Sequence, residues 1–332
     1  MIWRYPKYME KFRCSAGDCT DSCCIGWEIC IDPATEELYR RVEGKFGEIL
    51  RKNISGGAFV LGKDQRCPFL NERGLCDIYI ELGEESLCQI CTDHPRFFEW
   101  FGGLKEGGVG LCCEEAARLI LSCEPELSEE TVPDEDCEGC DEELLALLLD
   151  ARQEILSRLS KCSLFPALTS AAAYGERLQE NLDRGELVLP KWEELPAAEV
   201  QEASWVEFFA EMEPFDPAWP GYLRRCGALR DVPEELSAEL EDRLRRIGAY
   251  LIFRYFLKGV FDGEILSRVK LAAVSVRFLG WLWRCRIAER GGCGFEDQVE
   301  ICKAWSKEIE YSEENLERLL DAAYDEPLFR NI

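Results

Sequence analysis

Cysteine is the residue type in this sequence with the most potential for chemistry. The chain has 19 cysteines in 332 residues, but only 1 histidine and 3 methionines. Twelve of the cysteines come before residue 124, many of them closely spaced. Neighbouring thiolates repel each other, and a bound metal cation offsets that repulsion. The pattern therefore predicts a thiolate-bound metal centre in the N-terminal part of the chain.

Nine of these cysteines are the predicted metal ligands, and they form three groups along the sequence. The groups are Cys14-x4-Cys19-x3-Cys23-Cys24, then Cys67-x8-Cys76, and then Cys88-x2-Cys91 followed later by Cys113. Four thiolates suffice for one cluster. Nine candidates therefore leave two alternatives open: either a second metal binds, or some of the thiols are only packed nearby. The weakest candidates among the remaining N-terminal cysteines are Cys30, Cys112 and Cys123.

The spacing also bears on the kind of metal. Sites made only of sulfur suit zinc or iron–sulfur clusters, and a single histidine excludes zinc catalysis with several histidine ligands. Adjacent Cys23 and Cys24 are awkward for a zinc knuckle, and only Cys88-x2-Cys91 has the usual two-residue gap. The sequence thus favours an iron–sulfur cluster, with a pair of four-thiolate zinc knots as the alternative.

The elements that must position these thiols divide the chain into three parts. We predict a mainly α fold, with an irregular cysteine-rich metal-binding module containing small hairpins at residues 1–123. Residues 124–140, which are rich in acids, are predicted to be an exposed linker. Residues 141–332 are predicted to form an all-helical domain.

Local patterns predict the individual elements. Asp32 and Pro33 are typical of an N-cap and a first helical position, for a helix that ends near Gly44. Apolar runs interrupted by glycine predict hairpins within residues 56–67 and 97–111. Further helices are predicted at 114–121, 142–159, 233–259, 264–288, 297–309 and 312–324.

Charge and composition restrict the class of protein. The formal net charge is −26, which makes a phosphate backbone a poor partner, so we expect no nucleic acid. The acidity serves solubility or attracts a cationic substrate such as a lysine side chain. We see no apolar run long enough for a membrane span and no secretory signal, which predicts a cytoplasmic protein. Thiols stay reduced there, which favours metal ligands over disulfides.

The cysteine motifs resemble those of a known group of proteins. They are similar to the CxxCxxCC cysteine-cluster proteins, and more closely to the flagellin lysine-N-methylases. Residues 111–117 resemble that family's Leu-Ser-Cys-Pro-Glu-Ala-Ala run, with Cys112 in place of serine and Glu114 in place of proline. The other matching pieces are Phe12-Arg13-Cys14, Cys19, Cys23-Cys24-x2-Trp27, Ile31-Asp32, Cys67-x-Phe69-Leu70, Gly74-x-Cys76-x-Ile78-Tyr79, Leu82-Gly83-Glu84, Leu87-Cys88-x2-Cys91 and Pro95-Arg96.

The resemblance implies an iron–sulfur methyltransferase. Such an enzyme transfers a methyl group from S-adenosylmethionine to lysine side chains of flagellin and uses a protein-bound 4Fe–4S cluster. No Gly-x-Gly-x-x-Gly motif follows a predicted strand, so the sequence does not predict a Rossmann-type cofactor domain. Thiolate density alone also fits an iron–sulfur electron-transfer protein or a zinc-stabilised, non-enzymatic interaction protein.

Candidates for catalytic roles lie near the cysteine motifs. A lysine amine attacks a methyl sulfonium only when it is neutral, so the site must lower the lysine pKa or supply a base. The candidates are Tyr79, Glu84 and Arg96, with Glu85, Asp93, Glu114 and Glu115 as further carboxylates. The aromatic residues near these motifs either form a lysine channel or shield the cluster; they are Trp27, Phe97, Phe98 and Trp100.

Overall fold

The computed structural model describes residues 1–137, 139–330 and 332, and the fold is mainly helical with a small mixed sheet. The strands are β1 (Ile2–Pro6), β2 (Ile54–Ser55), β3 (Ala58–Phe59), β4 (Arg96–Phe101), β5 (Leu104–Val109) and β6 (Leu127–Thr131). The helices before residue 130 are α1 (Pro33–Arg41), α2 (Gly44–Lys52), α3 (Asp77–Leu82), α4 (Gln89–Asp93) and α5 (Glu114–Ser122). The later helices are α6 (Glu142–Lys161), α7 (Leu164–Asp183), α8 (Val206–Ala210), α9 (Trp219–Gly227), α10 (Ala238–Tyr255), α11 (Gly259–Asp262), α12 (Leu266–Arg290), α13 (Phe295–Ile309) and α14 (Glu313–Asp325).

The main sheet has the strand order β4-β5-β1-β6. Strands β4 and β5 form an antiparallel hairpin, β1 runs parallel to β5, and β6 runs antiparallel to β1. The hairpin predicted within residues 97–111 is thus confirmed. The other predicted hairpin lies a little earlier, as β2 and β3. Its two turn residues, Gly56 and Gly57, both have positive φ, as a tight hairpin turn requires.

The predicted acidic linker is exposed, but it is not all irregular. Its residues Leu127–Thr131 form strand β6, which gains backbone hydrogen bonds along the edge of β1. Arg4 on β1 pairs with Glu129 at 2.7 Å. Two of the acidic side chains that suggested a linker, Glu129 and Glu130, therefore lie on an exposed edge strand, where charge disfavours pairing with another chain.

Most predicted helices are confirmed, and two segments differ. Helix α10 begins at Ala238 rather than at Pro233, because Ser237 caps it by accepting the Leu240 N–H at 3.4 Å. The preceding segment instead lies against α12, where the Glu234 carbonyl accepts a hydrogen bond from Arg284 at 2.9 Å. Helix α7 was not predicted, and it packs against α12.

Hydrophobic packing divides the molecule differently from the predicted domains. A large core surrounds α12, which is buried on nearly every side, and it includes Val109 on β5 and Ile120 on α5. A second, smaller core contains only residues between Cys24 and Cys91. The predicted boundary at residue 123 therefore does not separate two cores, since the sheet and α5 pack with the later helices.

A buried ion pair joins the sheet to these helices. Arg152 on α6 donates two hydrogen bonds to the Glu106 carboxylate on β5, at 2.6 and 2.7 Å. Both side chains are less than 5% exposed. Paired in this way, each charge compensates the desolvation of the other.

We expect Glu106→Gln to lower the free energy of unfolding by about 3 kcal/mol, because it leaves the Arg152 charge buried without its carboxylate. Anaerobic denaturant titration measures this loss. The control is Glu37→Gln, which removes an exposed partner of Arg41 and should change stability by less than about 0.5 kcal/mol. Equal effects of the two substitutions would contradict the prediction.

Candidate metal centre

Five of the nine predicted ligands lie in the small core, and we call them the inner set: Cys24, Cys67, Cys76, Cys88 and Cys91. Cys67 and Cys88 are buried, and the other three are partly buried against the same core. The Cys67 N–H donates to the Cys24 carbonyl at 2.8 Å. The sulfurs of Cys88 and Cys91 are 3.3 Å apart. The chain thus brings thiols from all three sequence groups into one apolar region.

Helix starts hold several of the thiols. Cys76, Cys88 and Cys113 are the N-cap residues of α3, α4 and α5. Free N–H groups in the first turn of a helix favour a negative charge on an adjacent sulfur. Burial nevertheless dominates at Cys113, where it raises the thiol pKa to about 11, while hydrogen bonds from backbone amides act in the opposite direction. A bound cation would be needed to keep such thiols deprotonated at neutral pH.

The remaining four predicted ligands form an outer set: Cys14, Cys19, Cys23 and Cys113. Glu114 connects two of them, because it follows Cys113 in the chain and its carboxylate lies 3.9 Å from the Cys19 sulfur. The Thr20 N–H donates to the same carboxylate at 3.1 Å. Glu114 in turn pairs with Arg118 at 2.7 Å, which fixes the loop of the first cysteine group on α5.

All 19 cysteines are free thiols. Within residues 1–137, 139–330 and 332, no three His, Cys, Asp or Glu side chains already converge as the ligands of one metal ion. The donor chemistry of both sets still fits a sulfur-bound metal, since each supplies at least four thiols and backbone N–H groups beside them. The metal centre therefore stays a prediction.

The cysteine-rich region packs directly on the later helices. Gly26, with φ of +100°, lies so close to Phe215 that a Cβ at this position would be 2.3 Å from the ring. Next to it, the Trp27 ring lies 5.4 Å from the ring of Tyr311 and 4.9 Å from that of His94. These four side chains form an aromatic cluster: Trp27, His94, Phe215 and Tyr311.

An ion-pair contact lies beside the aromatic cluster. The Asp21 carboxylate pairs with Lys303 at 3.3 Å and also with Lys307, both on α13. Burial alone would raise the pKa of Asp21, but the two ammonium groups outweigh it and lower that pKa. The loop between Cys19 and Cys23 is thereby held to the helical part of the chain.

A buried polar network lies behind the loop that leads to Cys113. The Glu310 carboxylate accepts hydrogen bonds from Tyr250 at 2.8 Å and from Tyr255 at 2.9 Å, and pairs with Arg254 at 3.0 Å. The Tyr250 hydroxyl also accepts the Leu111 N–H at 3.2 Å. This network fixes the backbone that presents the third cysteine group.

The predicted catalytic candidates have different surroundings in the structure. Tyr79 is 50% exposed and Glu84 is exposed, and both face solvent on the small core. The Arg96 guanidinium lies 5.1 Å above the ring of Phe12 and donates to the Thr92 carbonyl at 3.3 Å. These contacts give Arg96 a packing role, and a catalytic role of the three residues stays a prediction.

The four aromatic residues predicted as a channel also lie apart. Phe98 and Trp100 lie around Lys105 of the main sheet, with their ring centres 5.4 and 4.9 Å from its ammonium group. Phe97 packs under Arg254 at 4.7 Å. Of these four residues, Trp27 alone belongs to the aromatic cluster, and both the lysine channel and the shielding of a metal cluster stay predictions.

Sequence reasoning missed the residues of the helical part that meet the cysteine-rich region. They are Phe215, Lys303, Lys307, Glu308 and Tyr311. Glu308 accepts hydrogen bonds from the Phe215 and Asp216 N–H groups, both at 2.8 Å, and burial raises its pKa to about 7. Lys303, Lys307 and Glu308 follow an ordinary helical pattern, whereas Phe215 and Tyr311 lie in the connections next to α9 and α13. Only their tertiary position distinguishes these side chains.

His94, the one histidine of the chain, gives a test of this packing. Burial lowers its pKa to about 4, and the charge of Lys307 acts in the same direction. The unfolded chain takes up this proton near pH 6.5 and the folded chain does not, so stability falls as the pH drops through this window. We expect His94 to contribute a loss of about 2 kcal/mol between about pH 7.5 and about pH 5.

Denaturant titration of the protein and of His94→Gln at both pH values measures this contribution as the difference between the two losses. His94→Gln keeps a polar side chain of similar reach but does not titrate. An equal pH dependence in both proteins would contradict a neutral, buried His94.

The contact of Asp21 with α13 is testable separately. We expect Asp21→Asn to speed amide hydrogen exchange in residues 19–24 by about tenfold, because the loop loses a partly buried ion pair. The matched control is Asp18→Asn, an exposed aspartate at the start of the same loop. The same acceleration in both variants would show that the lysine contacts do not hold the loop.

Comparisons with known proteins match parts of the chain. Residues 170–330 match the family model described as the FliB lysine N-methylase C-terminal domain. The chain is 30% identical over 140 residues to a lysine-N-methylase of Salmonella typhimurium strain LT2. The aligned region covers 38% of this chain and 35% of that protein. A lysine-N-methylase of Salmonella choleraesuis matches to the same extent.

The flagellar biosynthetic protein FliU of Salmonella muenchen is 29% identical over 127 residues, or 35% of this chain and 75% of that protein. The chain thus aligns with about a third of the length of the two lysine-N-methylases. No solved structure matches it. Among the described residues, no helix combines the length and apolar character needed to cross a bilayer. The family resemblance that the cysteine motifs predicted is confirmed by these relatives and by the match of residues 170–330 to the model of the FliB lysine N-methylase C-terminal domain.

Proposed function

We propose that this protein is an iron–sulfur-dependent lysine N-methyltransferase that acts on flagellin, with S-adenosylmethionine as the methyl donor. The observation that carries the proposal is the contact between its two characteristic parts. The loop of the first cysteine group packs through Asp21, Gly26 and Trp27 on Phe215, Lys303, Lys307 and Tyr311. All four of these partners lie within residues 170–330, the range that matches the family model.

The names of the relatives support the reaction class and are compatible with a flagellar substrate. Two are called lysine-N-methylases, and a third is called a flagellar biosynthetic protein. A cytoplasmic methyltransferase would meet flagellin before export. The formal charge of −26 would attract a lysine-bearing surface by long-range electrostatics.

The reaction places defined demands on the chain. The neutral lysine amine attacks the methyl carbon of the sulfonium, the N–C bond forms as the C–S bond breaks, and the donor leaves as a thioether. The ammonium must first lose a proton, which a water-poor site favours by lowering the lysine pKa. When bound, a cluster would supply an iron that can take the amino and carboxylate groups of the donor.

Thiols of the inner and outer sets would supply the ligands of this cluster. Beside them, the rings of Trp27, Phe215 and Tyr311 exclude water and present π-faces that attract a cation. The Arg254 guanidinium lies over the ring of Tyr311 and donates a hydrogen bond to Glu310, which fixes its position against that ring. The proposal therefore puts the lysine at the contact between the cysteine-rich region and α13.

A methylation assay tests the proposal. We expect the full chain, purified anaerobically and reconstituted with iron and sulfide, to add methyl groups to flagellin lysines in the presence of S-adenosylmethionine, as mass spectrometry detects. Cys76→Ser should reduce this transfer by at least about tenfold, because it removes the inner-set thiol at the start of α3. Cys30→Ser, an exposed thiol outside both sets, should leave the transfer unchanged.

The outcomes separate the alternatives. Loaded protein that reduces reversibly but transfers no methyl group would favour the electron-transfer protein. Protein that holds zinc without iron and sulfide would favour the interaction protein. A change in the ultraviolet–visible or EPR spectrum on addition of S-adenosylmethionine would support binding at the cluster, and an unchanged spectrum at saturation would count against it.

A further inference from the structure

We propose that the cysteine-rich region holds two separate thiolate-bound metal centres, one on the inner set and one on the outer set, which meet at the adjacent residues Cys23 and Cys24. The inference goes beyond the proposed function, which requires a single cluster. It also chooses between the alternatives that the sequence left open. The four thiols of the outer set, which a single inner centre would not use, become the ligands of a second centre.

The inner set is a single structural unit. Its five cysteines belong to the small core, together with the buried side chains of Tyr39, Phe59 and Phe69. Two short segments with their own backbone contacts carry four of these cysteines. Leu70 forms a bridge with Cys76, and the Cys91 N–H donates to the Cys88 carbonyl at 2.9 Å. Four thiolates satisfy one metal centre, so the inner set is complete without any outer thiol.

The outer set lies in a different place. Cys14 and Cys23 are exposed and Cys19 is partly exposed, and none of these three packs in the small core. They lie on the loop that Asp21 and Thr20 hold to α13 and α5. Cys113, at the start of α5, instead packs against the large core. The outer thiols are thus positioned by the helical part of the chain.

Cys23 and Cys24 mark the border between the two sets. Cys24 is fixed to the inner set by the hydrogen bond from Cys67, and the next residue, Ile25, forms a bridge with Arg66. Cys23 stays exposed on the side of the outer loop.

The border between the two sets also gives a reason why two consecutive residues, Cys23 and Cys24, are both cysteine. Two consecutive thiols are a strained pair of ligands for one tetrahedral metal, and the usual two-residue gap is absent here. Consecutive residues can instead serve two neighbouring centres, each completed by thiols from elsewhere. The first cysteine group then supplies three ligands to the outer centre and one to the inner centre.

The metal content of single variants tests the inference. The full chain is purified anaerobically and reconstituted with iron, sulfide and zinc, and all three are measured per chain. We expect Cys19→Ser to remove the metal of the outer centre and Cys91→Ser that of the inner centre, each lowering the total about twofold if the centres are alike. The two losses should add up to the content of the unaltered protein. Cys30→Ser is the matched control and should lose nothing.

One centre would give a different result. Either substitution would then remove all the metal, or Cys19→Ser would remove none, and each of these outcomes would overturn the inference. Circular dichroism of the helices shows whether a variant has unfolded, and Cys14→Ser, on the exposed loop, is a second outer variant. Methyl transfer is measured separately: two centres without methylation would refute only the proposed function, whereas methylation with one centre would refute only this inference.

Discussion

The close packing of Gly26 against the ring of Phe215 is the constraint on which the arrangement of the site depends. A residue with a Cβ could not occupy this position, both because φ is +100° and because the ring leaves no room. The contact brings the first cysteine group onto the helical part of the chain. Trp27, His94 and Tyr311 then pack around it, and the predicted metal centre and the family domain share one interface.

Charge reinforces that interface although the protein as a whole is strongly acidic. With a net charge of −26, most carboxylates repel one another at the surface. At the interface, Lys303 and Lys307 neutralise Asp21, and Arg118 neutralises Glu114. Three basic side chains therefore lie close to the loop that carries the outer thiols. Thiolates that lose their protons there would add negative charge, which a metal and these cations would balance together.

The two hydrophobic cores give the thiols different surroundings. The inner set lies in an apolar region, where burial raises the pKa of Cys67 to about 12 and disfavours an uncompensated thiolate. The outer set is closer to solvent and is held by polar contacts of Thr20 and Asp21. Centres in such different surroundings would differ in stability and in access for a substrate.

The sequence by itself determined the elements whose cause is local. The cap at Asp32, the glycine turns of both hairpins and the periodicity of α6, α12, α13 and α14 were all visible in short windows. The cysteine spacing also predicted the family. It did not show where α10 begins, since Ser237 competes with Pro233 as a start, nor that an acidic segment completes a sheet as β6.

Only the tertiary structure decided which functional candidates meet. Trp27 lies with Phe215 and Tyr311, 188 and 284 residues further along the chain, whereas Phe98 and Trp100 pack around Lys105 of the hairpin. The partition of the nine thiols is likewise a result of packing. Sequence spacing places Cys23 beside Cys24, but the small core takes only one of them, because long-range contacts rather than local patterns decide which side chains are buried together.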